Sequence, residues 1–210
     1  MKNKYYVTLI IVFLSSLLNG QNTDKLIEYK SLQDALKNPE KVYKLNLSNQ
    51  DITISDEIWA KFVNLENLTL RNDKLIEFPS GIFSLKKIKY MDLSGNDFRT
   101  LPQDFSKLTN LEELYLNNEK NIDLPATLNV LIKLPKLKAL HLEEDNLTAL
   151  PVEILSFKNL EELYLNNNNF IEIPRLETLD HLKYLDLKDN NIKPDLQEIK
   201  NLNFGFKINF

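Results

Sequence analysis

The sequence predicts an α/β solenoid, in which similar units stack on one another, each made of a short strand, a turn and a helical or 3₁₀ return segment. The first observation is that the apolar frame L-x-x-L-x-L occurs seven times, at steps of 22 to 26 residues. The second is that residues 111–118 and 160–167 are the same octapeptide, LEELYLNN. Such self-similarity indicates internal duplication, and one unit of this size buries its leucines only by stacking on neighbours.

The strand of each unit follows from the frame, whose copies begin at Val42, Leu65, Ile88, Leu111, Leu137, Leu160 and Leu182. Because a strand turns successive side chains to opposite faces, we expect the apolar fourth and sixth places to be core. The third, fifth and seventh places then face outward. In five units an apolar-proline pair follows, at Pro79, Pro102, Pro125, Pro151 and Pro174. Proline cannot donate to a ladder, so it marks the end of the strand and its turn, and apolar residues at helical spacing follow.

The pattern L-x-x-L-x-L-x-x-N-x-L, followed by an L-P pair and a helical return, resembles the leucine-rich-repeat family in its 23-residue form, of the small exported bacterial type. The resemblance covers residues 42–204. It implies a horseshoe with a parallel sheet on the concave side, short helical or 3₁₀ segments on the convex side, and ligand binding on the concave face. The family's ladder asparagine is matched at Asn96, Asn168 and Asn190, whereas Gln50, Asp73, Glu119 and Asp145 stand at that place in the other repeats.

Residues 1–20 are predicted to be a signal peptide. Lys2 and Lys4 precede an apolar run that is shorter than the roughly 20 residues of a membrane span, and Gly20 precedes polar Gln21. Cleavage would leave an exported chain, secreted, periplasmic or on the cell surface, with no stable membrane span; an uncleaved N-terminal anchor is the alternative. Cleavage also changes the formal net charge from −4 to −6, which argues against a nucleic-acid partner.

Both ends of the solenoid are predicted to be capped. In residues 21–41, Ser31 as N-cap and Asp34 three places later predict a short helix that ends at Asn38 and Pro39. At the other end, Ile199, Leu202 and Phe204 repeat the frame in shortened form. The alternation of Phe206, Ile208 and Phe210 then predicts that residues 205–210 extend this eighth copy as a closing strand.

The fourth repeat is three residues longer than its neighbours, which is almost one helical turn. The extra length falls in residues 126–134, so we expect a longer helix on the convex side there. Asn121 replaces an apolar residue in the same repeat, and Ile122 is shifted by one place, which predicts a local rearrangement.

The sequence does not predict an enzyme, a cofactor or a metal site. Cysteine is absent, the histidines are His141 and His181, and the four glycines form no phosphate loop. Paired glutamates such as Glu112 and Glu113 recur at the same place in copied units, which indicates a solvated strand border rather than an acid/base pair.

The outward places of the central strands are the candidate binding surface. Tyr115, His141 and Tyr164 share the fifth place on successive strands, about 4.8 Å apart in a sheet, and should form one ridge. The ridge has two interpretations, cross-strand packing alone or a ligand-binding centre. The predicted ligand-binding residues are Tyr90, Asp92, Glu113, Tyr115, His141, Glu143, Glu162, Tyr164, Tyr184 and Asp186.

The leading hypothesis is a non-enzymatic, monomeric binding module or scaffold that recognises a protein or peptide on its concave face. The surrounding carboxylates favour a basic ligand, and a carbohydrate is the other ligand class. The alternative functions are a structural or adhesive surface protein that acts through the solenoid edges, and a regulatory subunit of an enzyme.

Overall fold

The computed structural model describes residues 23–51, 53–176, 178–193 and 205–210. The predicted signal peptide and the shortened copy at residues 199–204 lie outside these ranges. Within them, nine strands form one parallel sheet in chain order. The strands are β1 Glu28–Tyr29, β2 Lys44–Asn46, β3 Asn67–Thr69, β4 Tyr90–Asp92, β5 Glu113–Tyr115, β6 Ala139–His141, β7 Glu162–Tyr164, β8 Tyr184–Asp186 and β9 Lys207–Asn209.

The register of the sheet joins equivalent places of successive frames. Lys44 pairs with Asn67 between β2 and β3, and Tyr115 pairs with His141 between β5 and β6. The fourth-place side chains Leu114 and Leu163 are fully buried. The predicted strand positions and the predicted inward places are therefore confirmed, and the core is a continuous column of leucines beneath the sheet.

The return segments on the convex side are short helices. The α-helices are α1 Leu32–Ala35, α2 Asp56–Trp59 and α3 Leu124–Leu131; the 3₁₀ helices are Thr23–Leu26, Pro39–Lys41, Ser80–Ser84, Gln103–Lys107 and Val152–Ser156. The longer fourth repeat produces the eight-residue α3, as expected, although it begins at Leu124 rather than at residue 126. Asp123 is its N-cap and accepts a hydrogen bond from the Ala126 N–H at 3.0 Å. Because the extra residues complete a second turn, this segment forms an α-helix where its neighbours are 3₁₀.

The N-terminal cap has the predicted helix and one further strand. Ser31 accepts a hydrogen bond from the Asp34 N–H, so it is the N-cap of α1. Ahead of this helix, β1 pairs with β2 through Glu28 and Lys44 and adds a strand that the frame did not predict.

A strand, β9, lies within residues 205–210, where a closing strand was predicted. Lys207 of β9 pairs with Tyr184 of β8, and this step of 23 residues is the ordinary step of the repeat. Among the described residues, no helix is both long and apolar enough to cross a membrane.

A tight turn follows each strand of the repeat frame and precedes the ladder residue. The eighth place of each frame has a positive φ, between 56° and 70°, at Asn49, Asn72, Gly95, Asn118, Glu144, Asn167 and Asp189. Asparagine, aspartate and glycine tolerate this conformation best. At Gly95 a side chain is also excluded, because a Cβ would lie 2.0 Å from Asn72 Oδ1. Each turn is followed by the ninth, ladder place.

Candidate ligand-binding surface

Five aromatic rings form a continuous row on the concave face, which we call the aromatic stack: Tyr90, Tyr115, His141, Tyr164 and Tyr184. Its centre is nearly parallel. The rings of Tyr115 and His141 are 3.6 Å apart at 10°, and those of His141 and Tyr164 are 4.1 Å apart at 5°. The predicted ridge is therefore present, because in-register strands place the three fifth-place side chains side by side.

The end rings of the stack come from a different place in the frame. Tyr90 and Tyr184 occupy third places, and their centroids lie 5.2 Å from Tyr115 and 5.4 Å from Tyr164. Both were predicted to face the concave side, but not to belong to the ridge. Aromatic side chains can reach diagonal neighbours on an adjacent strand, and this reach is the signal that could have predicted the longer row.

The two central tyrosines each donate a hydrogen bond to a carboxylate two residues earlier. Tyr115 Oη donates to Glu113 Oε1 at 2.7 Å, and Tyr164 Oη donates to Glu162 Oε2 at 2.6 Å. The same octapeptide produces both bonds, because residues two apart share one face of a strand. Burial, followed by the bonded carboxylate, raises the pKa of both tyrosines well above the ordinary value. The hydroxyls therefore stay protonated donors at neutral pH.

His141 is held between two glutamates. Its Nε2 lies 3.2 Å from Glu113 Oε1, and its Nδ1 lies 3.2 Å from Glu143 Oε1. Both ring nitrogens therefore lie within hydrogen-bonding distance of a carboxylate oxygen. His141 lies on the concave face as expected, yet its side chain is buried: it is 5% exposed, because Tyr115 and Tyr164 cover its two ring faces.

Two predicted carboxylates serve the fold as well as the surface. Asp92 is 8% exposed and accepts a hydrogen bond from the Ser94 N–H at 2.9 Å. Asp186 accepts bonds from Tyr184 Oη at 3.1 Å and from Asn209 Nδ2 at 3.0 Å. Both were predicted as binding residues, and hydrogen bonding within the sheet limits what they can offer to a ligand.

The interpretation of the glutamate pairs as a solvated border is also corrected. The Glu143 side chain is 14% exposed. Glu161 lies between Lys138 and Lys183 and forms ion pairs with both. Because neighbouring repeats supply these partners, the pairing was not visible within any single frame.

The concave face carries carboxylates at its centre and basic side chains towards its ends. Glu113, Glu143 and Glu162 surround the centre of the aromatic stack. Basic side chains lie on strands towards the ends, where Lys207 Nζ is 5.6 Å from the Tyr184 ring. Lys207 was missed as a surface residue because its strand was placed outside the repeat frame. His181 is exposed and takes no part in the stack.

Two family profiles match the sequence. The profile described as Leucine rich repeat matches residues 63–120, and the one described as Leucine Rich repeats (2 copies) matches residues 158–201. The chain is a leucine-rich-repeat protein. Folds of this family commonly serve as protein-interaction modules, since stacked repeats present an extended concave surface.

Solved structures of other repeat proteins are similar to this one. A leucine-rich-repeat protein of Leptospira interrogans is 28% identical with a TM-score of 0.60, over 87% of this chain and 54% of that chain. The human trophoblast glycoprotein, Wnt-activated inhibitory factor 1, is 25% identical with a TM-score of 0.64, over 81% and 69%. TLR13 in complex with ssRNA13 is 24% identical with a TM-score of 0.60, over 82% and 24%, and shares the fold.

The match with the Leptospira protein covers about half of that protein's length. No curated protein matches its sequence significantly.

Proposed function

We propose that the protein is a non-enzymatic binding module that holds a protein or peptide ligand on its concave face. The observation that carries this proposal is the aromatic stack, which runs across five strands with carboxylates around its centre. Tyrosine is enriched at binding hot spots, because it offers a large, rigid and amphipathic contact area. Packing between two neighbouring strands requires only one pair of side chains, whereas this row extends over five strands.

The geometry of the stack favours a basic peptide segment over a carbohydrate. Both faces of His141 are covered, and Tyr115 and Tyr164 each turn one face towards it. A ligand at the centre therefore meets ring edges, hydroxyl groups and the carboxylates of Glu113 and Glu162. These groups complement lysine and arginine side chains, whereas a sugar ring that must lie flat on an aromatic face finds little free area there.

Charge argues against nucleic acid as the ligand, although a related fold binds it. TLR13 was solved with a single-stranded RNA. The formal net charge of the present chain is −4, and removal of the predicted signal peptide makes it −6. Affinity for phosphate backbones depends on basic charge, so a protein or peptide is the better candidate.

A selection experiment tests the proposal. A random peptide library is selected against the protein, with the variant Tyr115→Ala/Tyr164→Ala as counter-target. The matched control is Tyr43→Ala, since Tyr43 stands at the second place of the first frame and is not a member of the aromatic stack. We expect enrichment of lysine- and arginine-rich peptides that bind the parent protein and the control, but not the double variant. Enriched peptides that bind all three proteins equally would contradict the proposed surface. Binding of single-stranded RNA in their place would contradict the proposed ligand class.

A further inference from the structure

The ninth place of the frame links neighbouring repeats, and an asparagine there both accepts and donates hydrogen bonds. Asn96 Oδ1 accepts from the backbone N–H groups of Asp73 and Leu75, at 3.1 and 3.0 Å. Its amide nitrogen donates to the carbonyl oxygens of Leu70 and Leu93, at 2.9 and 2.6 Å. Asn168 makes the same set of bonds three repeats later. A complete ladder residue therefore needs one acceptor atom and one donor atom.

Three acidic residues at this place supply the acceptor atom only. Asp73, Glu119 and Asp145 accept from the backbone N–H groups of Gln50, Asn96 and Glu119, at 2.8, 3.0 and 2.7 Å. The second oxygen of each carboxyl group is buried and has no hydrogen-bond partner. The group that corresponds to this oxygen in Asn96 and Asn168 is the amide nitrogen, which donates to backbone carbonyls. An ionised carboxylate is acceptor-only and cannot make those bonds.

We propose that Glu119 and Asp145 carry protons in the folded chain, so that each completes the ladder as a hydrogen-bond donor. Loss of these protons then destabilises two junctions, that of β4 with β5 at Glu119 and that of β5 with β6 at Asp145. The inference does not depend on the proposed function. It assigns a pH-dependent role to two residues that follow the turns after β5 and β6, the strands that carry Tyr115 and His141.

The surroundings of the two acids favour the neutral form. The charged groups that face Glu119 are Asp97 and Asp145, and those that face Asp145 are Glu143 and Glu144. No lysine or arginine of the described residues forms an ion pair with either acid. In the same part of the chain, no three histidine, aspartate or glutamate side chains are arranged to hold a metal ion. Among the described residues, no cationic side chain is paired with these two carboxylates, so protonation is the means of neutralising them.

Burial and the like charges act on the pKa in the same direction. Burial is the largest cause that raises the pKa of Glu119 to about 8 and that of Asp145 to about 7. The pKa of Asp73 is raised as well, through burial and the nearby charge of Asp51.

The sign of the pH effect follows from linkage. A group whose pKa is raised on folding binds its proton more tightly in the folded chain. The stability that Glu119 and Asp145 contribute is complete below the unfolded pKa values of about 4. It is lost as pH rises through the folded values of about 7 and about 8. Glu66 has the opposite effect, because its ion pairs with Lys25 and Lys89 lower its pKa. The stability that Glu66 contributes is lost as pH falls through its folded pKa.

Denaturant unfolding of the full chain between about pH 5 and about pH 9 tests the inference. The variant Glu119→Gln/Asp145→Asn keeps the acceptor and supplies a permanent donor, and Glu77→Gln is an exposed control. We expect the unfolding midpoint of the parent protein to fall with rising pH relative to that of the double variant. The free energy of unfolding gives the proton count: near pH 6, its pH dependence in the parent protein should differ from that in the double variant by nearly two protons. At the alkaline end of the range, the double variant should be the more stable protein. The Glu77→Gln control should keep the parent's slope.

Parallel pH profiles of the parent protein and the double variant would overturn the inference. If the double variant does not fold, the carboxyl carbon shifts of Glu119 and Asp145 are followed by NMR in the parent protein. Titration midpoints near neutral pH would support the inference. Midpoints at the ordinary values of about 4 would overturn it.

Discussion

At the scale of single residues, the central tyrosines of the concave face have two roles, packing and ligand binding, which different measurements detect. Tyr115 and Tyr164 each cover one face of His141, and each donates to a glutamate on its own strand. Covering is a packing role, whereas the exposed ring edges and the neighbouring carboxylates form the candidate binding surface. The two roles differ in magnitude, since cross-strand pairs contribute about 0.2–1 kcal/mol and interface anchors at least about 2 kcal/mol.

The double substitution Tyr115→Ala/Tyr164→Ala separates these roles. We expect loss of binding to peptides selected on the parent protein, because each truncated anchor should cost at least about 2 kcal/mol of binding free energy. The melting temperature should fall only modestly. Calorimetric binding and thermal unfolding measure the two effects, with Tyr43→Ala as the control that retains binding. Unchanged binding together with a lower melting temperature would show that the stack only packs the sheet.

At the scale of the elements, each strand has an apolar face and a concave face, but the concave face is not uniformly solvated. Leu114 and Leu163 are fully buried beneath the sheet. Glu113, on the concave face, is a partner of both Tyr115 and His141. The alternation of faces follows from strand geometry, whereas the burial of concave residues depends on which side chains the adjacent strands supply.

Alanine substitutions should rank in the order that these contacts imply. Leu114→Ala should lower the free energy of unfolding by about 2–5 kcal/mol, because it opens a cavity in the core. Lys44→Ala, at the third place of β2 on the concave face, should change it by no more than about 0.5 kcal/mol. Glu113→Ala should lie between them, because it removes the acceptor of the Tyr115 hydroxyl. Chemical denaturation measures all three variants, and equal effects of Leu114→Ala and Lys44→Ala would contradict the assignment of faces.

At the scale of the whole molecule, the concave surface is acidic at its centre and carries cations towards its ends. Glu113, Glu143 and Glu162 lie around the stack, and Arg71, Lys188 and Lys207 are exposed on strands or turns to either side. A basic ligand that spans the centre is attracted by these carboxylates, and such attraction acts mostly on the rate of association.

Binding of a selected basic peptide should weaken as salt is added. Charges more than about 8–10 Å apart are largely screened at physiological ionic strength, so the association rate should fall more than the dissociation rate rises. Surface plasmon resonance at low and high ionic strength measures both rates. Salt-independent association would show that the carboxylates do not attract the ligand.

Export is a prediction for the whole molecule that depends on residues 1–20. We expect the protein recovered from its native host to begin at or near Gln21, because the apolar run is short for a membrane span and polar sequence follows it. Intact-mass analysis measures the N-terminus. Recovery of the full chain from the cytoplasm would contradict both cleavage and export.

The sequence by itself determined the solenoid, the places of its repeat strands, the inward leucines and the aromatic ridge. These follow from a local period of two within each strand and from a step of about 23 residues between strands. Tertiary structure alone decided that His141 is buried and that Glu119 has an oxygen without a partner. The physical reason is that both properties depend on groups supplied by adjacent repeats: His141 meets Glu113 across 28 residues of chain, and the Glu119 carboxyl group meets the Asn96 N–H across 23.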